Sequence, residues 1–147
     1  MELLGRYGLW LAFLVTLVAT LATIYASEVL GMAPCSLCWV QRVFLWPQVV
    51  IFGVAALTAD RRAALYSIAL SLFGAVIALY HHWLQIGGSH FVPCPVNGNA
   101  IDCATPTFVW FGFITFPFLA FVLFIFLVLF MTLLRSIWRK SPQEGHA

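Results

Sequence analysis

Charge is what this chain has least of. Asp, Glu, Lys and Arg make up only 8% of its 147 residues, against about 25% in soluble domains. Water is therefore not its main solvent. The net charge of +2 is also too small for the cationic face that nucleic acid requires. Other absences narrow the chemistry. There is no glycine-rich nucleotide loop and no flavin signature, so no built-in nucleotide site is indicated. No internal repeat or low-complexity linker divides the chain, and only residues 141–147 read as a disordered tail.

What fills the chain is apolar sequence: 63% of residues are hydrophobic and the mean hydropathy is +1.01. A bilayer-crossing helix needs about 20 such residues. Four stretches qualify, at 7–26, 39–57, 64–83 and 108–134. This predicts an all-α membrane protein, a single four-transmembrane-helix bundle over residues 1–147. Nothing in it requires an oligomer. The first run is longer than the apolar core of a signal peptide and is followed by no small-x-small cleavage site, so it is expected to remain as a span. The short connection before residue 64 makes spans two and three antiparallel neighbours.

The few basic residues are placed unevenly. Arg6, Arg61, Arg62, Arg135, Arg139 and Lys140 lie at the amino end, in the short second connection, or at the carboxyl end. The other two connections, 27–38 and 84–107, contain Glu28 and Asp102 but no lysine or arginine. The positive-inside rule then puts both termini in the cytoplasm and those two loops outside. All four cysteines, Cys35, Cys38, Cys94 and Cys103, fall at or beyond the outer face, where cysteine pairs are expected as disulfides.

Cys35 and Cys38 follow Pro34, which suits the turn into a helix. They are expected in the first turn of span two, near enough to bridge. A helix start offers unpaired N–H groups and partial positive charge, and both stabilise the thiolate that drives disulfide exchange. Arg42 stands four residues beyond Cys38, on the same helix face and a turn deeper. A charge there costs at least about 2.5 kcal/mol, which marks it as functional unless it snorkels to the headgroups. It would favour a nearby thiolate and could polarise a carbonyl on a bound electron acceptor. Gln41 adds a polar neighbour, and Pro47 is expected to kink the span.

Cys94 lies between Pro93 and Pro95, which keep the backbone extended; Asn97-Gly98 is a turn signal that could return Cys103 towards Cys94. A bridge there could be a structural staple, and so could one between Cys35 and Cys38, although that loop is too small to constrain much. Two outward dithiols instead suggest electrons passing from one to the other, and lipid-soluble quinones are the acceptors a membrane supplies. His81, His82 and Gln85 end span three on the same side and could face that site. A metal site drawing on the cysteines with His81, His82 or His90 is the competing reading, and no metal is expected because the eight-residue spacer between Cys94 and Cys103 suits zinc poorly. Haem attachment is excluded by Trp39, which stands where a histidine is needed.

The run PCSLCWVQR at 34–42, H-x-x-L-Q at 81–85, the second cysteine pair and FGFITFPF at 111–118 together resemble the bacterial disulfide bond formation protein B (DsbB) family. The likeness is to its short BdbC-like members and covers nearly the whole chain. It implies a bacterial inner-membrane enzyme that reoxidises an extracytoplasmic thioredoxin-like (DsbA-like) thiol oxidase and passes the electrons to a quinone, ubiquinone or menaquinone. Carried over by residue, the partner's thiolate would attack Cys94, the displaced Cys103 would attack Cys35, and Cys38 would be freed as a thiolate beside the quinone. Arg42 would assist Cys38, with His81 and Gln85 near the quinone pocket. The short spacer departs from the longer one of the enterobacterial members and could restrict the reach of Cys103. A vitamin K epoxide reductase-like quinone reductase is the nearest alternative, but there the loop pair precedes the membrane C-x-x-C. A non-catalytic metal-binding membrane protein is the alternative from another class.

Overall fold

A computed structural model describes residues 2–89, 102–105 and 114–140, with side chains from Tyr7 onward. Four helices follow in order, α1 (Glu2–Glu28), α2 (Ser36–Thr58), α3 (Ala63–Gln85) and α4 (Phe116–Lys140). All four are long and apolar enough to cross a membrane. Their outward faces carry bare aliphatic side chains, with Leu57, Val50 and Val76 each about two-thirds exposed or more. In water such a surface would aggregate; in lipid it is the solvated face.

Helix ends follow local chemistry. Cys35 is the N-cap of α2, with extended backbone and its Sγ accepting from the Cys38 N–H at 3.4 Å. The helix thus starts at Ser36, and Cys38 rather than Cys35 lies in its first turn. At the other end Ala59 takes a left-handed conformation (φ 55°) and its N–H donates to the Ala55 carbonyl. The Asp60 carboxylate then accepts from the Arg62 N–H, closing the tight turn into α3.

The fourth helix starts at Phe116 and runs to Lys140, a shift from the 108–134 expected from hydropathy. Thr115 explains it. Its carbonyl accepts from the Leu119 N–H and its hydroxyl from the Phe118 N–H, while Pro117 in the first turn has no N–H to satisfy. Apolar composition conceals this cap; residues 106–113 lie outside the described part of the chain.

The helices pack in three layers. At the end holding the α2–α3 turn, Phe52, Ala55, Ala64, Leu127, Met131 and Leu134 form the main core. Leu45, Ala75, Ala78 and Phe124 fill the middle. Cys35, Leu84 and Cys103 form the layer at the opposite end, with Leu37, Cys38 and Tyr80 against it. Between α2 and α3, fully buried Gln48 accepts from the Ser67 hydroxyl at 2.7 Å and donates to Ser71 at 3.1 Å and to the Phe44 carbonyl at 3.0 Å. Such bonds between membrane helices are worth about 0.6 kcal/mol on average, and here they fix the register of α2 on α3.

α3 and α4 meet tightly at Gly74. A Cβ there would stand 2.6 Å from Cζ of Phe124, whose ring is buried and cannot swing away. Gly74→Ala is expected to lower unfolding stability in detergent by about 1–3 kcal/mol. Adding Phe124→Leu should return part of the loss. Equal melting temperatures for Gly74→Ala and the unaltered protein would show that α3 and α4 are not held this closely.

Candidate active site

Cys35 and Cys38 are free thiols with their Sγ atoms 2.9 Å apart. Cys35 is 5% exposed and Cys38 more so. Cys103 is disulfide-bonded and 1% exposed, and it packs in the same small cluster as Cys35. Cys94, like His90, lies outside the described residues.

The sulfurs are held from α3 by His81, which is fully buried. The Gln41 Nε2–H donates to His81 Nδ1 at 3.0 Å. That bond leaves the proton on Nε2, which donates to Cys35 Sγ at 3.6 Å. Gln85, one turn after His81, has its amide nitrogen 3.4 Å from His81 Nε2, and its buried Oε1 has no hydrogen-bond partner. His82 points elsewhere: its Nδ1 pairs with the Thr115 hydroxyl at 3.1 Å and its ring lies on Phe118. It ties the end of α3 to the start of α4.

These contacts act on Cys35 in one direction. Hydrogen bonding from the Cys38 thiol lowers its pKa most, burial opposes this, and His81 and the Cys38 N–H lower it further, to about 4. The reduced form is therefore a thiolate at neutral pH. A lowered thiol pKa stabilises the reduced state while pH stays above that value, and the benefit disappears as pH falls through about 4. Alkylation of reduced Cys35 is accordingly expected to keep a nearly constant rate from pH 8 to pH 5. An ordinary thiol slows about tenfold per unit below its pKa of about 8.5, and that slope in a Cys38→Ala background would show only that the Cys38 thiol is the dominant cause. The same slope in the unaltered protein would contradict the assignment of charge to Cys35.

A cavity of about 320 Å³ opens beside the dithiol. Cys38, Gln41, Arg42 and Gln85 bring polar atoms to it, and Ala22 and Ala26 of α1 with Leu119, Ala120 and Leu123 of α4 make its apolar walls. Arg42 is engaged within the protein. Its guanidinium donates to the Thr23 carbonyl at 2.9 Å and to the Ser27 hydroxyl, and lies 5.2 Å and 5.9 Å from the Trp39 and Trp46 ring centroids. The cation is thus pinned to α1 and shielded by indoles. His81 is not among the lining residues; it bears on the dithiol from behind.

Sequence reasoning named Cys35, Cys38, Arg42, His81 and Gln85 without separating these positions. It gave Gln41 no task, although a polar residue at i+3 from a membrane-edge cysteine was itself a signal. Thr23 and Ser27 carried none.

A redox-competent dithiol at one end of four apolar helices, facing an apolar cavity that holds a fixed cation, defines a multi-pass membrane protein of thiol–disulfide chemistry. The chain belongs to the DsbB family, whose description is disulfide bond formation protein DsbB and whose model matches residues 5–134. Among its relatives is disulfide bond formation protein C of Bacillus subtilis (strain 168), 40% identical over 87% of this chain and 92% of that protein. The SPbeta prophage-derived disulfide bond formation protein B of the same organism is 34% identical over 92% and 90% of the two chains. A probable disulfide formation protein of Chlamydia muridarum is 39% identical over 79% and 83%. No solved structure matches the chain significantly.

Proposed function

We propose that this protein reoxidises an extracytoplasmic, DsbA-like thiol oxidase and delivers the electrons to a membrane quinone, ubiquinone or menaquinone, so sustaining disulfide formation in exported proteins. The observation that carries this reading is that Cys38 and Arg42 line one apolar cavity, with Cys103 in the same buried cluster as Cys35.

The cavity fits a quinone head group in chemistry. Its walls are apolar, Arg42 supplies a cation for a carbonyl oxygen, and Gln85 adds a polar side chain to the lining. A bound quinone supplies a two-electron, two-proton acceptor. Cys38 is the sulfur that faces the cavity, and Arg42 holds positive charge where negative charge develops. Cys35, carried as thiolate 2.9 Å away, is placed to close the S–S bond as Cys38 gives up the electron pair. One thiolate and one thiol become one disulfide; two electrons and one proton leave the dithiol, and the second proton that a quinol needs comes from solvent. His81, fixed by Gln41, orients Cys35 and donates a hydrogen bond to its sulfur before that step.

On the protein side, the partner's thiolate attacks Cys94 and displaces Cys103, which attacks Cys35 and displaces Cys38. The partner's second thiol then frees Cys94, whose attack on Cys103 restores the loop disulfide and releases Cys35 as a thiolate. The shared buried cluster of Cys103 and Cys35 supports the second exchange despite the short spacer. The orientation we infer has both termini in the cytoplasm and the cysteine loops outside a bacterial inner membrane. It rests on Arg61, Arg62, Arg139 and Lys140 sharing the end opposite the dithiol, where Arg61 lies over the Trp138 ring at 5.8 Å.

Trapping tests the route. Cys103→Ala is expected to accumulate a covalent complex with an extracytoplasmic thioredoxin-like protein through Cys94. If Cys94→Ala traps the same protein equally well, or Cys103→Ala traps none, the proposed order of the loop cysteines is wrong.

A further inference from the structure

We infer that the reduced dithiol and His81 together form a three-coordinate site for the soft cation Cu(I), a ligand that competes with disulfide formation. Sγ of Cys35, Sγ of Cys38 and one ring nitrogen of His81 all lie within 4.8 Å of one another. Metal–sulfur bonds of about 2.3 Å in a trigonal arrangement space the ligands by roughly 4 Å. The His81–Cys35 separation of 3.6 Å already approaches this. The two sulfurs, now 2.9 Å apart, must part by about 1 Å, and rotation of Cys38 into the cavity it lines gives them room.

Three further features fit a cation rather than a chance cluster. The imidazole is gripped at its other nitrogen by Gln41, which is 8% exposed, and such an outer hydrogen bond orients a metal-binding histidine. When Nε2 binds the cation its proton moves to Nδ1, and a turn of the Gln41 amide offers its oxygen to accept it. The cavity provides the way in. Charge also balances: two thiolates and Cu(I) sum to −1, opposed by the Arg42 cation on the same cavity. Zn²⁺ would leave that cation uncompensated and prefers a fourth ligand, whereas two soft sulfurs and an imidazole satisfy Cu(I). The cation takes the place of the proton held between the sulfurs, which leaves to solvent, and no oxidation state changes.

The site stands without the quinone reading; only its effect on turnover rests on that reading. The test uses the purified full chain, reduced, with Cu(I) offered in competition with the chromophoric chelator bathocuproine disulfonate. We expect one Cu(I) per reduced protein, and at least about 100-fold weaker binding once Cys35 and Cys38 are joined as a disulfide. His81→Gln should weaken binding at least about tenfold, and Gln41→Leu about tenfold. X-ray absorption on the unaltered protein should find two sulfurs and one nitrogen, which decides the ligand set even if a variant folds poorly. Equal affinity in the disulfide form, a two-sulfur shell lacking nitrogen, or Zn²⁺ bound as tightly as Cu(I) would each overturn the assignment. Loss of quinol formation on adding Cu(I) is read separately, so a wrong electron acceptor leaves the binding result intact.

Discussion

Cys38→Ser is expected to abolish quinone-coupled thiol oxidation, a fall on the order of 10⁴-fold or more, as when a nucleophile is removed from other enzymes. The substitution removes the sulfur that lines the cavity and the thiol whose hydrogen bond does most to hold Cys35 as thiolate. A serine hydroxyl can neither form the disulfide nor carry the charge at neutral pH. The change is nearly isosteric and Cys38 is not fully buried, so the helices should assemble unchanged, and circular dichroism in detergent should match the unaltered protein. Quinol formation, followed by its ultraviolet absorbance with a reduced thioredoxin-like substrate, is the measurement. A rate within tenfold of normal would remove Cys38 from the electron path.

Arg42→Ala should slow quinone reduction by about 10²–10³-fold, the range seen when one stabilising donor is taken from a developing anion. Two effects combine. The cavity loses its fixed positive charge, and α1 loses the bonds from the guanidinium to Thr23 and Ser27. Arg42→Lys keeps the charge but lacks the planar fork that spans two acceptors and lies against two indoles. It should therefore recover rate only in part. Exchange between the partner thiol and the loop cysteines, measured by stopped flow without quinone, should stay within about twofold, because the proposed exchange draws on no residue of the cavity. Identical quinone kinetics in Arg42→Ala and the unaltered protein would make the residue a helix tie and nothing more.

Long apolar runs made the four spans readable from sequence, since few other structures use about 20 such residues in a row. The start of the last span was not readable from hydropathy, because Phe116–Pro117 continues the apolar run while Thr115 caps the helix by hydrogen bonding alone. The candidate positions stand out as residue types, but their directions do not. His81 and His82 are adjacent in sequence and about 100° apart around α3. One meets Cys35 and the other Thr115, and only the rotation of α3 against α2 and α4 decides which. Gln41 and His81 are 40 residues apart, and no local pattern joins them. The partners of Arg42 on α1 escaped for the same reason: Thr23 and Ser27 look like ordinary small polar residues of a span until α1 is set beside α2.

Of the neighbouring helices in this bundle, α1 and α4 pack on each other least, and it is their side chains that wall the cavity. Under the proposed function, an oxidant would arrive sideways, sliding in from among the acyl chains with its hydrocarbon tail still dissolved in them. Only its polar end has to leave the lipid phase. Oxidants confined to the aqueous compartment would gain nothing from such a doorway, and on that reading the pace of turnover should follow whatever redox pool the bilayer itself carries.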